Sequence, residues 1–519
     1  MKDDMKKILG IWILCAVAVS AIAVPARREG MLRTDVNGKE KTVFLNGDET
    51  FHYMTDAEGN WLDEETLLPM AEEMKRARLK NRNESGRAKV RRAQQETGVS
   101  RLLASRGVVI LVSFKDKAFS QTNEDMTQWA MGEKYDYNGA TGSIRQYFYD
   151  QSWGEYDMQI DVVGPVTVSQ NYSYYGKNDW LGNDQHPDEM VKEACQLADA
   201  QGIDFSQYDS DNDGKVDWVV ILYAGKGEAD GGSTNTIWPH QFELSYTGMS
   251  FKLDGKTVDH YCCLNELDGE TGERCGIGTF CHEFSHVMGL PDLYSTNESS
   301  THRTLVNWDI MDYGPYNNNG NTPPNYSAYE RWFMGWMTPR QMTAPENVTL
   351  RVLHEYREAI LLCEGDHNLD GLNPYPRTFF LLENRIKEGW DKYIPGVGMM
   401  ITKIQYSPNK WIGNTVNNSS SSMGVDIIEA KANTNAYVGS ASDLFPRGAK
   451  NWYGFEGHYV ENITRDTQTG TITFIYDDGW PEGIESIQPS EASCQKILRD
   501  GKVIIVRDGK KYDILGNRL

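Results

Sequence analysis

Apolar residues recur along this chain at two different spacings, and the switches between them mark its elements. Residues 107–114, GVVILVSF, are apolar almost throughout and predict a strand buried on both faces. GSIRQYFYDQSWG, residues 142–154, carries apolar residues at helical spacing between Ser143, a capping residue, and Gly154, a stop signal, so it predicts a helix. In EYDMQIDVVGPV the alternation of Tyr156, Met158, Ile160 and Val162 on one face predicts a strand. HPDEMVKEACQLADAQG, residues 186–202, predicts a second helix with Pro187 in its first turn and acids at its N-terminal end. Before these, residues 24–70 hold short alternating runs around Asn46-Gly47 and Glu58-Gly59, a small strand-rich unit. After residue 345 the runs are short, β-rich and broken by Gly, Asn and Pro, predicting a sandwich-like domain that reaches residue 478. Asp508-Gly509 centres a terminal hairpin.

With 519 residues, two to four domains are expected. The boundaries are set at residues 1–23 for a leader, 24–98 for a propeptide and linker, 99–343 for a catalytic domain, 344–478 for a β-rich domain and 479–519 for a tail. In the leader, Lys2, Lys6 and Lys7 precede a short apolar run, and Ala21 and Ala23 form a small-residue cleavage site. That pattern is a signal peptide, too short for a membrane anchor, so the mature protein is expected outside the cell. Residues 71–95 set nine Lys or Arg against three Glu, a solvated charge run placed where an activation linker would lie, with Arg91-Arg92 as the expected cleavage point. The net charge of −22 excludes a nucleic-acid partner, which needs a clustered positive surface. A monomer is expected. Seven cysteines remain after the leader, four of them between 262 and 281, where one or two local disulfides are expected.

The chemistry concentrates in GTFCHEFSHVMGLPDLY, residues 278–294. On a helix, His282 and His286 project from one face and can offer two imidazole nitrogens to one ion. Gly289 lets the helix end and the chain turn, so that Asp292 returns as a third ligand. Three protein ligands leave one position open, the mark of a catalytic rather than a structural zinc. Glu283 would take the proton of the water held there, generate the nucleophile for a peptide carbonyl, and pass the proton to the departing amine. Ile277, Phe280, Phe284 and Val287 form a stripe on the other side of the helix. Downstream, Met311 in NWDIMDYG is the candidate for a methionine turn beneath the ligands, and Tyr313 or Tyr316 for a hydrogen bond to a developing oxyanion.

A second pattern, DSDNDGKVD, puts Asp209, Asp211, Asp213, the Lys215 carbonyl and Asp217 at the offsets of a calcium loop. Val220 stands where the closing glutamate is usual, so Glu228 or Asp230 would have to complete the shell of the Ca2+ ion. No cysteine is available in residues 24–98 to block a zinc ion, which leaves Asp48, Glu49 or His52 as candidates, set against a purely structural role for the same residues. Three functions stay open: a zinc endopeptidase acting on proteins or peptides, a cysteine peptidase using Cys281 or Cys363, and a calcium-dependent adhesin. Glu283 ligates nothing and is superfluous to an adhesin, and Cys281 and His282 point apart on a helix.

Taken with GDETFHYMTDAEG, YDSDNDGKVDWVVILYAGKGEADGGSTNTIWPH, WDIMDYG, SAYERWFMGW and LLENRIKEGWDKYIPGVG, the zinc motif resembles the immune-inhibitor-A-like family of secreted bacterial zinc metallopeptidases over roughly residues 25–475. The resemblance implies an α+β chain with a metzincin-like zincin catalytic domain, a propeptide removed on activation, and Zn2+ as cofactor. Two departures stand out: Ser285 where a glycine is usual, and Lys403 with Gln405 in place of the more usual His and Asp. The C-terminal ILRDGKVIIVRDGKKYDILG is similar to tails of proteins exported by Bacteroidetes-type bacteria, which implies an outer-membrane secretion machinery as partner.

Overall fold

The computed structural model describes residues 24–76 apart from 49 and 50, Arg78, 106–297 apart from 180 and 181, 302–477 apart from 434, 436 and 455–457, and three strands between 494 and 512. The expected leader, the Arg91-Arg92 cleavage point and Glu49 lie outside the described residues. None of the helices among the described residues is long and apolar enough to cross a membrane.

Four antiparallel strands open the chain, β1 (Met31–Thr34), β2 (Glu40–Asp48), β3 (Phe51–Thr55) and β4 (Trp61–Leu62), joined in chain order. Their apolar face, with Met31, Val43, Leu45, Met54 and Leu62, is too small to fold alone. It closes over Ala229 and Trp238 of the following unit, together with Val24 and Ala26.

The next unit is built on a five-stranded sheet of order β6-β5-β7-β11-β8. Its strands are β5 (Arg106–Ser113), β6 (Gln159–Thr167), β7 (Val219–Lys226), β8 (His240–Glu243) and β11 (His260–Leu267), the hairpin β9 (Phe251–Leu253) and β10 (Lys256–Val258) standing apart. All pairings are parallel except that of β8, which runs antiparallel along one edge. Helices α1 (Asn123–Met131), α2 (Ile144–Gln151) and α3 (Pro187–Ala200) cover the sheet. The hydroxyl of Ser143 caps α2 by accepting from the Gln146 amide at 3.3 Å, and the chain leaves the helix through Gly154 at φ +82°.

Helix α4 (Gly278–Val287) carries the histidines and is buried along nearly its whole length. Phe284 meets Trp218 at 4.8 Å and Phe148 at 5.3 Å, while Phe280 meets Trp129 at 5.5 Å. The stripe expected from spacing is thus the side that docks the helix on the sheet. Trp218 in turn lies so close to Gly107 that a Cβ there would stand 2.2 Å from the indole, which is why the second residue of β5 is a glycine.

Beyond residue 339 two sheets face one another. One has the order β12-β14-β15-β16-β17, from β12 (Arg340–Gln341), β14 (Ile360–Leu362), β15 (Thr378–Arg385), β16 (Gly398–Gln405) and β17 (Val425–Ile427). The other runs β13-β20-β19-β18, from β13 (Glu346–Leu350), β18 (Trp452–Tyr453), β19 (Tyr459–Arg465) and β20 (Ile472–Asp477). Leu350, Phe380, Leu382, Ile401, Ile472 and Phe474 fill the space between them. The alternate residues of β15 and β16, Phe379, Leu381, Met400 and Ile404, turn the other way and join the core that holds α4. At the end of the chain β21 (Cys494–Arg499), β22 (Lys502–Arg507) and β23 (Lys510–Tyr512) form an antiparallel meander.

Candidate active site

Three side chains converge at the C-terminal end of α4. The Nε2 atoms of His282 and His286 lie 3.1 Å apart, and Asp292 Oδ1 lies 3.3 Å from the first and 3.2 Å from the second. All three are buried. Gly289, at φ +104°, makes this possible: it ends the helix in a backbone conformation that side chains resist, and Leu290 then donates back to the Ser285 carbonyl at 3.0 Å.

The protons of this triad are fixed by its surroundings. His282 Nδ1 lies 2.7 Å from the Ile310 carbonyl and His286 Nδ1 2.7 Å from the Leu290 carbonyl, so each ring donates there and turns an unprotonated Nε2 inward. Two nitrogen lone pairs and a buried carboxylate oxygen that accepts no hydrogen bond from the described residues therefore face one point. Such a donor set needs a cation. Ligands about 2.0–2.1 Å from a tetrahedral ion stand roughly 3.3–3.4 Å apart, close to the separations found, so the residues fit zinc.

Glu283 sits beside this point. Burial pushes its carboxyl well above the ordinary carboxylate range. Its Oε1 accepts the Val24 amide at 2.5 Å, and its Oε2 has no hydrogen-bond partner among the described residues. Residues 24–28 thread past it along groups of the catalytic unit. The Trp238 indole donates to the Val24 carbonyl at 3.1 Å, the Tyr316 hydroxyl to the Pro25 carbonyl at 2.6 Å, and the Arg27 amide to the Ala229 carbonyl at 2.8 Å. The group meeting Glu283 is thus Val24, a residue that no motif singles out. Asp48 is buried within β2, and His52 forms an ion pair with Glu228 at 3.2 Å, so neither meets the triad. That corrects the expectation for the described candidates.

Met311 is buried in the turn below α4, where its carbonyl accepts the Leu293 amide at 2.7 Å and its own amide meets Asp309 Oδ1 at 2.8 Å. The same turn supplies Ile310 to His282. Tyr316 meets the Pro25 carbonyl, and the Tyr313 ring lies under the Arg28 guanidinium at 3.7 Å. Ser285, unusual at its position, hydrogen-bonds the Cys281 carbonyl at 2.6 Å and the Tyr326 hydroxyl, tying α4 to the segment before the last catalytic-unit helix. Asn414, far along the chain, makes two contacts to the third triad member: its Oδ1 accepts the Asp292 amide at 2.7 Å and its Nδ2 donates to Asp292 Oδ2 at 2.5 Å.

The acidic loop is gathered only in part. Asp209, Asp211 and Asp217 place carboxylate oxygens within 4.8 Å of one another, a group that does not include Asp213, whose Oδ1 accepts the Lys215 amide at 2.7 Å. The Lys256 ammonium contacts Asp209 Oδ2 at 2.5 Å and supplies one positive charge there. Glu228 and Asp230 do not complete this loop: the first pairs with His52 and the second accepts from Asn265 at 3.3 Å. Cys195, Cys262, Cys263, Cys275, Cys281 and Cys363 are free thiols, so the expected local disulfides are absent among the described residues. Burial pushes the Cys281 thiol far up, which opposes the thiolate a cysteine peptidase needs.

Residues 140–338 match a family model described as the immune inhibitor A peptidase M6 catalytic domain. A pre-pro-metalloprotease PrtV of Vibrio cholerae serotype O1 is 27% identical over 244 residues, 40% of this chain and 26% of that protein. Immune inhibitor A of Bacillus thuringiensis subsp. alesti is 27% identical over 221 residues, 37% of this chain and 31% of its own length. The chain therefore spans between a quarter and a third of these curated relatives.

Proposed function

We propose, from the premise that this chain carries a metallopeptidase catalytic domain of the immune inhibitor A type, that it is an exported zinc endopeptidase made as a proenzyme. The observation that carries this reading is the single point faced by His282 Nε2, His286 Nε2 and Asp292 Oδ1 with Glu283 beside it. Zinc, when bound there, supplies the Lewis acidity that activates water and polarises a peptide carbonyl. His282, His286 and Asp292 would hold it. Glu283 accepts the proton of the attacking water and delivers it to the amine nitrogen of the broken bond. Trp238, Tyr316 and the Ala229 carbonyl grip main-chain groups only, so they can hold a peptide of any sequence in register.

Val24 supports the proenzyme part of the reading, since its nitrogen lies on Glu283 where a departing amine would be. While residues 24–28 stay in place, a substrate cannot enter. Export rests on the leader pattern, and a structural Ca2+ at Asp209, Asp211 and Asp217 on the acidic loop, with Lys256 as its competitor. The test is casein hydrolysis by the activated protein with a zinc chelator, a thiol blocker and the Glu283→Gln variant. Loss with chelator and with Glu283→Gln, but not with the blocker, is expected. Undiminished hydrolysis by Glu283→Gln would overturn the assignment.

A further inference from the structure

The five residues in the cleft, Val-Pro-Ala-Arg-Arg, are held by their side chains as well as by their backbone, and the side-chain contacts speak to which peptides the cleft prefers. The inference rests on the peptidase reading and adds a substrate class to it. The register is set by Val24, whose nitrogen lies 2.5 Å from Glu283 Oε1 and so takes the place of the amine released from a cleaved bond. Val24 is then the first residue after that bond, Arg27 the fourth and Arg28 the fifth.

Arg27 is gripped by the catalytic unit. Its guanidinium donates to Asp268 Oδ2 at 2.8 Å and to Asn319 Oδ1 at 3.0 Å, with side chains only 11% and 14% exposed for Arg27 and Asp268. Its Nε turns back to Glu29 of its own segment at 2.5 Å. The Asp268 carboxylate is fixed independently of the arginine: its Oδ1 accepts the Glu270 amide at 3.1 Å, the Thr271 amide at 2.6 Å and the Thr271 hydroxyl at 2.8 Å. One oxygen is committed to the loop and the other is aimed at the cleft. A carboxylate so oriented meets a cation without the entropy of ordering a free side chain. Arg28 is recognised differently, its guanidinium 3.7 Å from the Tyr313 ring centre and 4.7 Å from that of Tyr437. Two aromatic faces favour a flat, weakly hydrated cation.

We infer that Asp268 with Asn319, and Tyr313 with Tyr437, form the fourth and fifth binding positions beyond the scissile bond, and that the enzyme selects peptides carrying arginine or lysine there. The fifth position favours arginine over lysine, because only the guanidinium stacks.

The test uses protein activated from the full chain and a series of internally quenched peptides of one sequence, with Arg, Lys, Ala or Asp at the fourth or fifth position after the cleaved bond, each cut site verified by mass spectrometry. A charge contact of this kind, at a site that solvent still reaches, is worth about fivefold in binding. Arg or Lys at the fourth position is therefore expected to raise kcat/KM about fivefold over Ala, through KM, and Asp to lower it. In Asp268→Asn the ratio of Arg to Ala at the fourth position should fall toward one while the fifth-position ratio persists; in Tyr313→Leu the pattern reverses. Equal kcat/KM for Arg, Ala and Asp across a series that wild-type protein does cleave would overturn the inference, and so would an unchanged ratio in Asp268→Asn. Failure to cleave any peptide, together with inactivity on casein, would instead sink the peptidase reading on which it rests.

Discussion

Asn414 is the least obvious part of the candidate zinc site, and removing its side chain is the sharpest check on the site's construction. It holds Asp292 from both sides, through the backbone amide at 2.7 Å and through Oδ2 at 2.5 Å, while Oδ1 stays free to face the two imidazoles. Truncating it deprives a buried carboxylate of a neutral donor, a loss of about 1.5–3 kcal/mol. A supporting partner of a metal ligand typically changes metal affinity by about 10–100-fold, which is about 1.4–2.8 kcal/mol, so the two routes agree. Asn414 also sits at φ +49°, where alanine is strained and glycine is not. Both Asn414→Ala and Asn414→Gly are therefore needed, since only a loss common to the two belongs to the side chain. The assay is competition for Zn2+ against a chromogenic chelator, which reads affinity without reference to turnover. Both variants should bind zinc about 10–100-fold more weakly than the parent. Wild-type affinity in Asn414→Gly would refute the reasoning, and weakening in Asn414→Ala alone would assign the effect to the backbone.

Three further outcomes follow from the geometry. Trp238→Phe keeps the ring but loses the indole N–H that meets the Val24 carbonyl, so the activated enzyme should show KM raised about threefold to tenfold with kcat little changed. Gly107→Ala pushes a methyl into Trp218 and should lower stability by about 1–3 kcal/mol, seen in denaturant unfolding. His52 is buried between Glu228, Glu64, Asp184 and Arg78; burial alone would lower its pKa, yet Glu228 and then Glu64 raise it to about 9. Its ion pair is thus complete below the ordinary histidine value of 6.5 and is lost as pH rises through about 9, and the raised carboxyls of Glu228 and Asp184 act in the same direction. Thermal unfolding of the intact chain should fall between pH 6.5 and 9, with a shallower slope in His52→Asn; an identical slope would exclude His52 as the source.

Much of the site could be read in the sequence because its parts are local. Helix α4, the i and i+4 histidines, the glycine exit and Asp292 lie within fifteen residues and obey one helical period and one turn. What the sequence hid is what arrives from afar. Val24 meets Glu283 across 259 positions and Asn414 meets Asp292 across 122, and no periodicity encodes either meeting. Trp238 was not legible as a donor to a peptide, and Tyr316 was legible as a donor to an oxyanion rather than to the Pro25 carbonyl. The acidic loop was legible as a ligand pattern, but offsets alone do not reveal that Lys256 would reach Asp209 from a neighbouring strand. Clustered cysteines suggested bridges, yet Cys262 and Cys263 are consecutive on β11 and point to opposite faces of a sheet.

The strands β15 and β16 have apolar side chains on both faces, one set for the partner sheet and one for the core around α4. A recombinant fragment stopped at residue 343 would therefore leave part of its own core bare to water, and would lose the Asn414 amide that steadies Asp292. Strands on both sides of residue 343 share that core, so any shortened version should keep both.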